Sequence, residues 1–149
     1  MDETYTYTDE NEDEQLKPPT QIQREGDQAI AQGDLLLSTP AFQAFLTACA
    51  SGVSEVWMQA KLAGIMAAKR AGEFAYLPHS LNVTSVGLDY VLDEEHQKVT
   101  VRCRVATKEK IGAESSALIG CGITLMTMMI SLRAVDRNIS VEGLHVVRE

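Results

Sequence analysis

The sequence lacks several features that would assign it to a particular class of protein. It contains no run of about 18 apolar residues, so no membrane span is predicted. Its start, Met1-Asp2-Glu3, is acidic, whereas a leader peptide is basic and apolar. Its three cysteines are far apart and form no Cys-x-x-Cys pair, which predicts neither a disulfide framework nor a metal site. These absences favour a cytoplasmic protein with reduced thiols.

A basic patch is also missing. The net charge is −8, and seven of the 21 acidic residues lie within the first fourteen positions, so the rest of the chain is nearly neutral. A nucleic-acid-binding surface needs clustered cations, and none is predicted. We expect residues 1–19 to be a disordered acidic tail and residues 20–149 to form one folded domain. No motif for a metal or a cofactor is present, and we expect neither.

The most informative segment is residues 60–70, which is rich in alanine and carries one glycine, Gly64. Alanine favours a helix, whereas glycine costs about 1 kcal/mol relative to it. A glycine inside a helix is therefore expected where another backbone approaches closely. The segment predicts a tightly packed core helix that begins near residues 53–55 and ends near Gly72.

The remaining elements follow from hydrophobic periodicity. Residues 21–37 predict one or two strands, and Thr39 and Pro40 predict the start of a helix. Residues 83–92 and 97–106 alternate as a hairpin, residues 113–135 form a long helix, and residues 139–147 form a last strand. This order predicts an α+β fold with a mostly antiparallel sheet packed on helices.

The long helix carries apolar residues on two sides. One stripe comprises Leu118, Cys121, Leu125, Met128, Leu132 and Val135; the other comprises Ile119, Ile123, Met126 and Ile130. A helix that is apolar nearly all round is buried on two sides. We therefore expect one side to face the sheet and the other a second subunit, in a homo-oligomer.

Residues 61–70 resemble the most recognisable motif of the cyclic pyranopterin monophosphate synthase (MoaC) family. Residues 77–80, 112–118 and 132–136 resemble further family segments in the same order, and the likeness covers about residues 35–147. The resemblance implies a ferredoxin-like fold that assembles as dimers, trimers or hexamers with active sites between subunits. It also implies a small-molecule substrate, since the family enzyme rearranges a cyclised dihydro-GTP and expels pyrophosphate.

Three residues match family positions that take part in that chemistry. His79 matches the family's histidine, Glu114 matches the first of its paired glutamates, and Arg133 stands at its catalytic lysine. The resemblance therefore implies that these three are the catalytic residues. Each also has a structural alternative: a hydrogen-bonded histidine in a loop, a carboxylate at a helix N-terminus, and an arginine in an ion pair.

Other family positions have changed towards apolar residues. Val53 stands at an essential lysine, Ile130 at a catalytic aspartate and Ser116 at the second glutamate. An apolar pocket would suit an apolar ligand better than a triphosphate, whose charge would be uncompensated. The residues predicted to contact the substrate are Val53, Trp57, Ser116, Met126, Met129 and Ile130. The methionines have the alternative explanation of filling the core.

These changes leave three functions open. The first is a repurposed, cofactor-independent cyclase that performs a cycloaddition on a polyketide macrocycle in secondary metabolism, a reaction that depends on shape and orientation. The second is a non-catalytic binding subunit. The third is cyclic pyranopterin monophosphate synthase itself, in the synthesis of molybdenum cofactor.

Overall fold

A sheet of antiparallel strands forms one layer of the protein and helices form the other. The computed structural model describes residues 6–7, 26–50, 54–74, 82–109 and 111–148. The strands are β1 Thr6–Tyr7, β2 Asp27–Leu36, β3 Val83–Asp93, β4 Lys98–Thr107 and β5 Ser140–Val146. The helices are α1 Thr39–Ala50, α2 Glu55–Lys69, α3 Ala71–Phe74 and α4 Ala113–Leu132.

The strand order in the sheet is β1-β3-β4-β2-β5, and every neighbouring pair is antiparallel. Apart from the two-residue β1, the chain runs strand, helices, two strands, helix, strand. This is the ferredoxin-like arrangement, so the predicted fold class is confirmed. The segment predicted as one or two strands is a single strand, β2.

Alternation along β4 separates a dry face of the sheet from a wet one. Val99, Val101 and Cys103 are fully buried beneath the helices. On the other face, Thr100 donates a hydrogen bond of 2.6 Å from its Oγ1 to Asp34 Oδ1 on β2. The predicted hairpin with one solvated face is therefore present.

Side chains cap the first two long helices at their N-termini. At α1 the capping residue is Ser38 rather than the predicted Thr39, because Ser38 Oγ accepts from the backbone N–H of Ala41. At α2, Ser54 Oγ accepts from the N–H of Trp57 at 3.2 Å, which confirms the predicted start. Such caps satisfy backbone donors that the helix itself leaves unpaired.

The helix α4 is the central core helix of the domain. Cys121, Leu125, Met128 and Leu132 of the first predicted stripe are buried. Val135 was predicted to continue that stripe, but α4 ends at Leu132 and Val135 is exposed. By length and composition alone α4 is apolar enough to cross a membrane, yet about half of that stretch is buried inside the fold.

The helices α2 and α4 touch at glycines. A Cβ placed on Gly64 would overlap Oγ1 of Thr124 and lie 2.9 Å from the carbonyl oxygen of Gly120. A Cβ placed on Gly120 would lie 3.0 Å from Ala68 Cβ and 3.3 Å from the carbonyl oxygen of Gly64. The close backbone approach predicted at Gly64 is therefore confirmed.

The predicted acidic tail lies mostly outside the described residues. Within it, Thr6 and Tyr7 form β1 and pair with Val91 and Tyr90 at the edge of the sheet. These two residues are thus in a strand rather than in a solvated tail. The division at residue 19 stays a prediction.

Candidate functional site

The direction of α2 relative to α4 decides which predicted site residues on the two helices lie beside one another. Ser116 contacts Ala68, and Gly120 contacts Gly64 one turn earlier on α2. The two helices therefore run antiparallel. This direction brings the N-terminal end of α2, with Trp57, to the level of the C-terminal end of α4.

The predicted site residues on α4 fall into two groups, one at each end. Met126, Met129, Ile130 and Arg133 lie towards its C-terminal end, and Glu114 and Ser116 towards its N-terminal end. With a rise of 1.5 Å per residue, Glu114 and Arg133 are about 28 Å apart along the helix. One copy of the chain therefore does not bring them to one small molecule.

The C-terminal group presents apolar side chains to solvent. Ile130 is 67% exposed and Met126 is 43% exposed, whereas Met129 is half-buried against the core. Arg133 follows the last turn of α4 and is exposed. This end of the helix can therefore offer an apolar surface beside one cation.

Trp57 is an interior residue rather than a surface contact. It is fully buried, and its ring packs edge-on against Tyr90 at a centroid distance of 4.6 Å. Tyr90 also packs against Phe45 at 5.6 Å, and its hydroxyl donates a hydrogen bond to Cys49 Sγ at 3.1 Å. Trp57 can thus support the wall of a site from behind, where α1, α2 and β3 meet.

Ser116 is also interior. Its side chain is fully buried, and its Oγ donates a hydrogen bond of 2.5 Å to the carbonyl oxygen of Ala68. This bond ties α4 to α2. The placement does not offer the hydroxyl to a substrate, so the predicted contact role is not supported by this geometry.

Glu114 lies in the first turn of α4 and is exposed. Its Oε1 is 3.8 Å from Nη2 of Arg148, an exposed pair that contributes little to stability. The helix N-terminus favours its negative charge. The structural alternative noted for Glu114 is therefore satisfied, and its carboxylate stays accessible to solvent.

Two of the three thiols are poorly suited to nucleophilic chemistry. Burial raises the pKa of the Cys49 thiol, and burial together with the nearby charge of Asp34 raises the pKa of Cys121 to about 12. A thiol is reactive as its thiolate, which these environments disfavour. Cysteine catalysis at these two positions is therefore not supported.

His79 and Val53 lie outside the described residues, and their predicted roles stay predictions. Within the described ranges no group of three or more His, Cys, Asp or Glu side chains is placed to hold a metal ion.

Lys61 is a candidate that the sequence interpretation did not single out. It is only 6% exposed, which is rare for a lysine. Its position four residues after Trp57 and three before Gly64 places it on the buried face of α2. This spacing was the signal in the sequence that could have identified Lys61 as a buried residue, because Trp57 and Gly64 are both interior.

Comparison with known proteins agrees with the fold and the motifs. The family model described as the MoaC family matches residues 20–149. The chain belongs to the MoaC family. It is 34% identical over 118 residues to the cyclic pyranopterin monophosphate synthase of Bordetella pertussis, covering 79% of this chain and 73% of the relative. It is 35% identical over 123 residues to the synthase of Heliobacterium modesticaldum, covering 82% of this chain and 76% of the relative. It is 30% identical over 115 residues to the synthase of Helicobacter pylori, covering 77% of this chain and 72% of the relative.

Proposed function

We propose that this MoaC-family chain is a cytoplasmic enzyme that acts on a small molecule, and that its reaction is the synthesis of cyclic pyranopterin monophosphate. The observation that carries this proposal is the identity of 34% to the Bordetella pertussis synthase across about three quarters of both chains. The family model matches residues 20–149, a range that includes α2 and α4. No cofactor is invoked.

The accessible charges on α4 supply part of the chemistry that such a reaction needs. Arg133 can bind phosphate oxygens through its guanidinium, and Glu114 can exchange a proton with the ring. Both side chains are exposed. Since one copy holds them about 28 Å apart, the proposed site takes Glu114 from one copy and Arg133 from another.

One observation favours a second candidate function, the repurposed cyclase acting on a bulky apolar metabolite. Ile130, which stands where the resemblance places a catalytic aspartate, exposes 67% of its surface beside the partly exposed Met126. An apolar surface of this kind binds apolar rather than polyanionic ligands. On this alternative Arg133 orients the ligand and the chemistry depends on shape.

The experiment that tests both candidates gives the purified full chain the cyclised dihydro-GTP intermediate and measures pyrophosphate release. For the first candidate we expect turnover, and a loss of about 100-fold in kcat/KM for Arg133→Met, since the variant removes a charge contact to phosphate. Arg137→Met is the matched control, because Arg137 is an exposed arginine that follows the end of α4 and is not among the residues of the proposed site. Its kcat/KM is expected to stay within about twofold of wild type.

The second candidate is tested by binding of the fluorescent apolar probe ANS. We expect Ile130→Asp to abolish probe binding, and Ile111→Asp to leave it unchanged, because Ile111 is similarly exposed but lies outside α4. Absence of pyrophosphate release together with this pattern supports the cyclase. If the protein neither releases pyrophosphate nor binds ANS, both the synthase and the cyclase are contradicted. The remaining hypothesis is then a non-catalytic binding subunit.

A further inference from the structure

A set of hydrogen bonds closes the open end of the hairpin that β3 and β4 form. The backbone N–H of Asn82 donates to both carboxylate oxygens of Glu109, at 3.2 Å to Oε1 and 3.0 Å to Oε2. Asn82 Nδ2 also donates to Glu109 Oε1 at 3.2 Å. The backbone N–H of Lys108 donates in turn to the carbonyl oxygen of Asn82 at 3.0 Å. We name these contacts the Asn82–Glu109 clamp.

The clamp is anchored on the side of β4. Thr107 is buried, and its Oγ1 donates to the backbone carbonyl oxygen of Glu109 at 2.9 Å. Glu109 is half-buried, whereas Asn82 is exposed. Hydrogen bonds to an ionised carboxylate are about twice as strong as neutral ones. Glu109 therefore holds the start of β3 from a position that β4 fixes.

The clamp joins the two chain segments that carry candidate acid–base residues. His79 precedes Asn82 by three residues, and a chain of that length spans at most about 11 Å. Glu114 follows Glu109 by five residues, so that span is at most about 18 Å. Both candidates are therefore tied by short lengths of chain to one set of contacts.

Glu114 also has a fixed place relative to the sheet. Gly112 adopts the left-handed conformation, with a φ of 103°, and so turns the chain into α4. The next residue, Ala113, is fully buried and donates its N–H to Asp27 Oδ2 at 3.2 Å. Because these contacts hold the first turn of α4, the clamp fixes the start of β3 relative to a turn that is already held.

We propose that Glu109 is a positioning residue of the candidate active site, which acts through Asn82 to set the segment bearing His79 relative to Glu114. The inference rests on the proposed function, in which Glu114 exchanges a proton with the ring of the substrate. Residues that serve one proton-transfer reaction have to come within hydrogen-bond reach of the same substrate. A misplacement of about 1 Å can cost about 100-fold in rate, even when the altered residue is far from the chemistry.

The first test measures kcat and KM of the full chain for the cyclised dihydro-GTP intermediate, by pyrophosphate release. Glu109→Ala should lower kcat about tenfold and leave KM within about twofold, because misplacement affects the chemical step. In the His79→Ala background the same change should lower kcat by less than about twofold, since the residue it positions is gone. The matched control is Glu94→Ala, which removes an exposed carboxylate at the closed end of the same hairpin and should keep the wild-type kcat.

The second test reads the surroundings of His79 without any reaction. The sequence contains three histidines, so the imidazole Cε1–H groups give three signals in an NMR spectrum. Glu109→Ala should move the His79 signal by more than its line width. The signals of His96, in the turn between β3 and β4, and of His145, on β5, should stay in place.

A further pair of variants tests the contact itself from the other side. Asn82→Asp opposes two carboxylates, which repel, and should reproduce both effects of Glu109→Ala. Adding Glu109→Gln to Asn82→Asp exchanges donor and acceptor, because the new amide can donate to the new carboxylate. This double variant should restore kcat to within about threefold of wild type and return the His79 signal.

A purely structural clamp would lower the midpoint of urea denaturation in Glu109→Ala while kcat and the His79 signal stayed unchanged, and that result would overturn the inference. Equal losses of kcat in the wild-type and His79→Ala backgrounds would also overturn it, as would a double variant without rescue. A wild type without turnover, whose His79 signal still moves in Glu109→Ala, supports the positioning role and contradicts the proposed reaction alone. The two failures are therefore distinguishable.

Discussion

Replacing Gly64 with alanine is expected to destabilise the protein, although alanine is the better helix former. The space for a Cβ at this position is already occupied by Thr124 Oγ1. The carbonyl oxygen of Gly120 and the Cδ1 atom of Leu88 would each lie 2.9 Å from it. The carbonyl belongs to the α4 backbone and cannot rotate away, so the two helices would have to separate.

The magnitude follows from three contributions. The intrinsic helix preference favours alanine by about 1 kcal/mol. Overpacking a core contact costs about 1–3 kcal/mol. Moving Thr124 also breaks the hydrogen bond of 2.7 Å that its Oγ1 donates to the carbonyl of Gly120. Because Thr124 is fully buried, the loss of this bond costs about 1 kcal/mol. The sum is a loss of about 2 kcal/mol in the free energy of unfolding.

The measurement is urea denaturation of the wild type and the variant at one protein concentration, because self-association would otherwise change the apparent stability. Gly122→Ala, on the facing helix α4, is the matched control. A Cβ at Gly122 would meet only Leu144 Cδ2, at an ordinary contact distance of 3.4 Å, so this variant should equal the wild type or exceed it by up to about 1 kcal/mol. A Gly64→Ala protein as stable as the wild type would refute the argument, as would an equal loss in both variants.

Two further predictions concern carboxylates that hold distant segments together. Asp136 accepts hydrogen bonds from the backbone N–H groups of Asn138 and Ser38, each at 2.8 Å, and these bonds lower its pKa. A carboxyl whose pKa is lowered by folding contributes stability above its unfolded pKa of about 3.9 and loses it as the pH falls through the folded value. The stability advantage of the wild type over Asp136→Asn should therefore shrink between pH 5 and pH 2.5 in urea titrations, and an advantage that stays constant would contradict the assignment. Asp27 accepts from the N–H of Ala113 at 3.2 Å and so caps α4, whose own N-cap position supplies no side chain. Asp27→Ala should lower the midpoint of urea denaturation by an amount equivalent to about 1 kcal/mol, whereas an unchanged midpoint would exclude the capping role.

Local sequence patterns were sufficient to predict the types of the long helices and strands and the close contact between two of the helices. The alternation of residues 97–106 indicated a half-solvated strand because residues at i and i+2 share a face. The lone glycine at position 64 indicated a close approach because an added Cβ is costly only where another atom occupies its space. Both features are local, and each was confirmed where it was predicted.

Contacts between segments that are far apart in the chain could not be predicted from local sequence patterns. The sequence presented Trp57 and Ser116 as candidate substrate contacts, whereas both are interior, and it gave no signal that Asp27 would reach Ala113. Periodicity shows which side of an element is apolar but not which neighbour covers it. The separation of Glu114 from Arg133 was in principle predictable, because it follows from the length of one helix.

The positions that fix the scaffold differ from those that the proposed chemistry would use. Gly64 and Thr124 meet where α2 crosses α4, and Ser116 ties the same two helices together further along, through its bond to Ala68. Because the interior is close-packed there, adding or removing atoms changes stability. Ile130 and Arg133 lie at the exposed end of α4, where substitution changes stability by about 0.5 kcal/mol or less. Selection can therefore exchange a charged for an apolar residue at that end without a cost in folding. On the two functions proposed above, the discrimination between a phosphate-bearing and an apolar substrate would depend on residues whose substitution the fold tolerates.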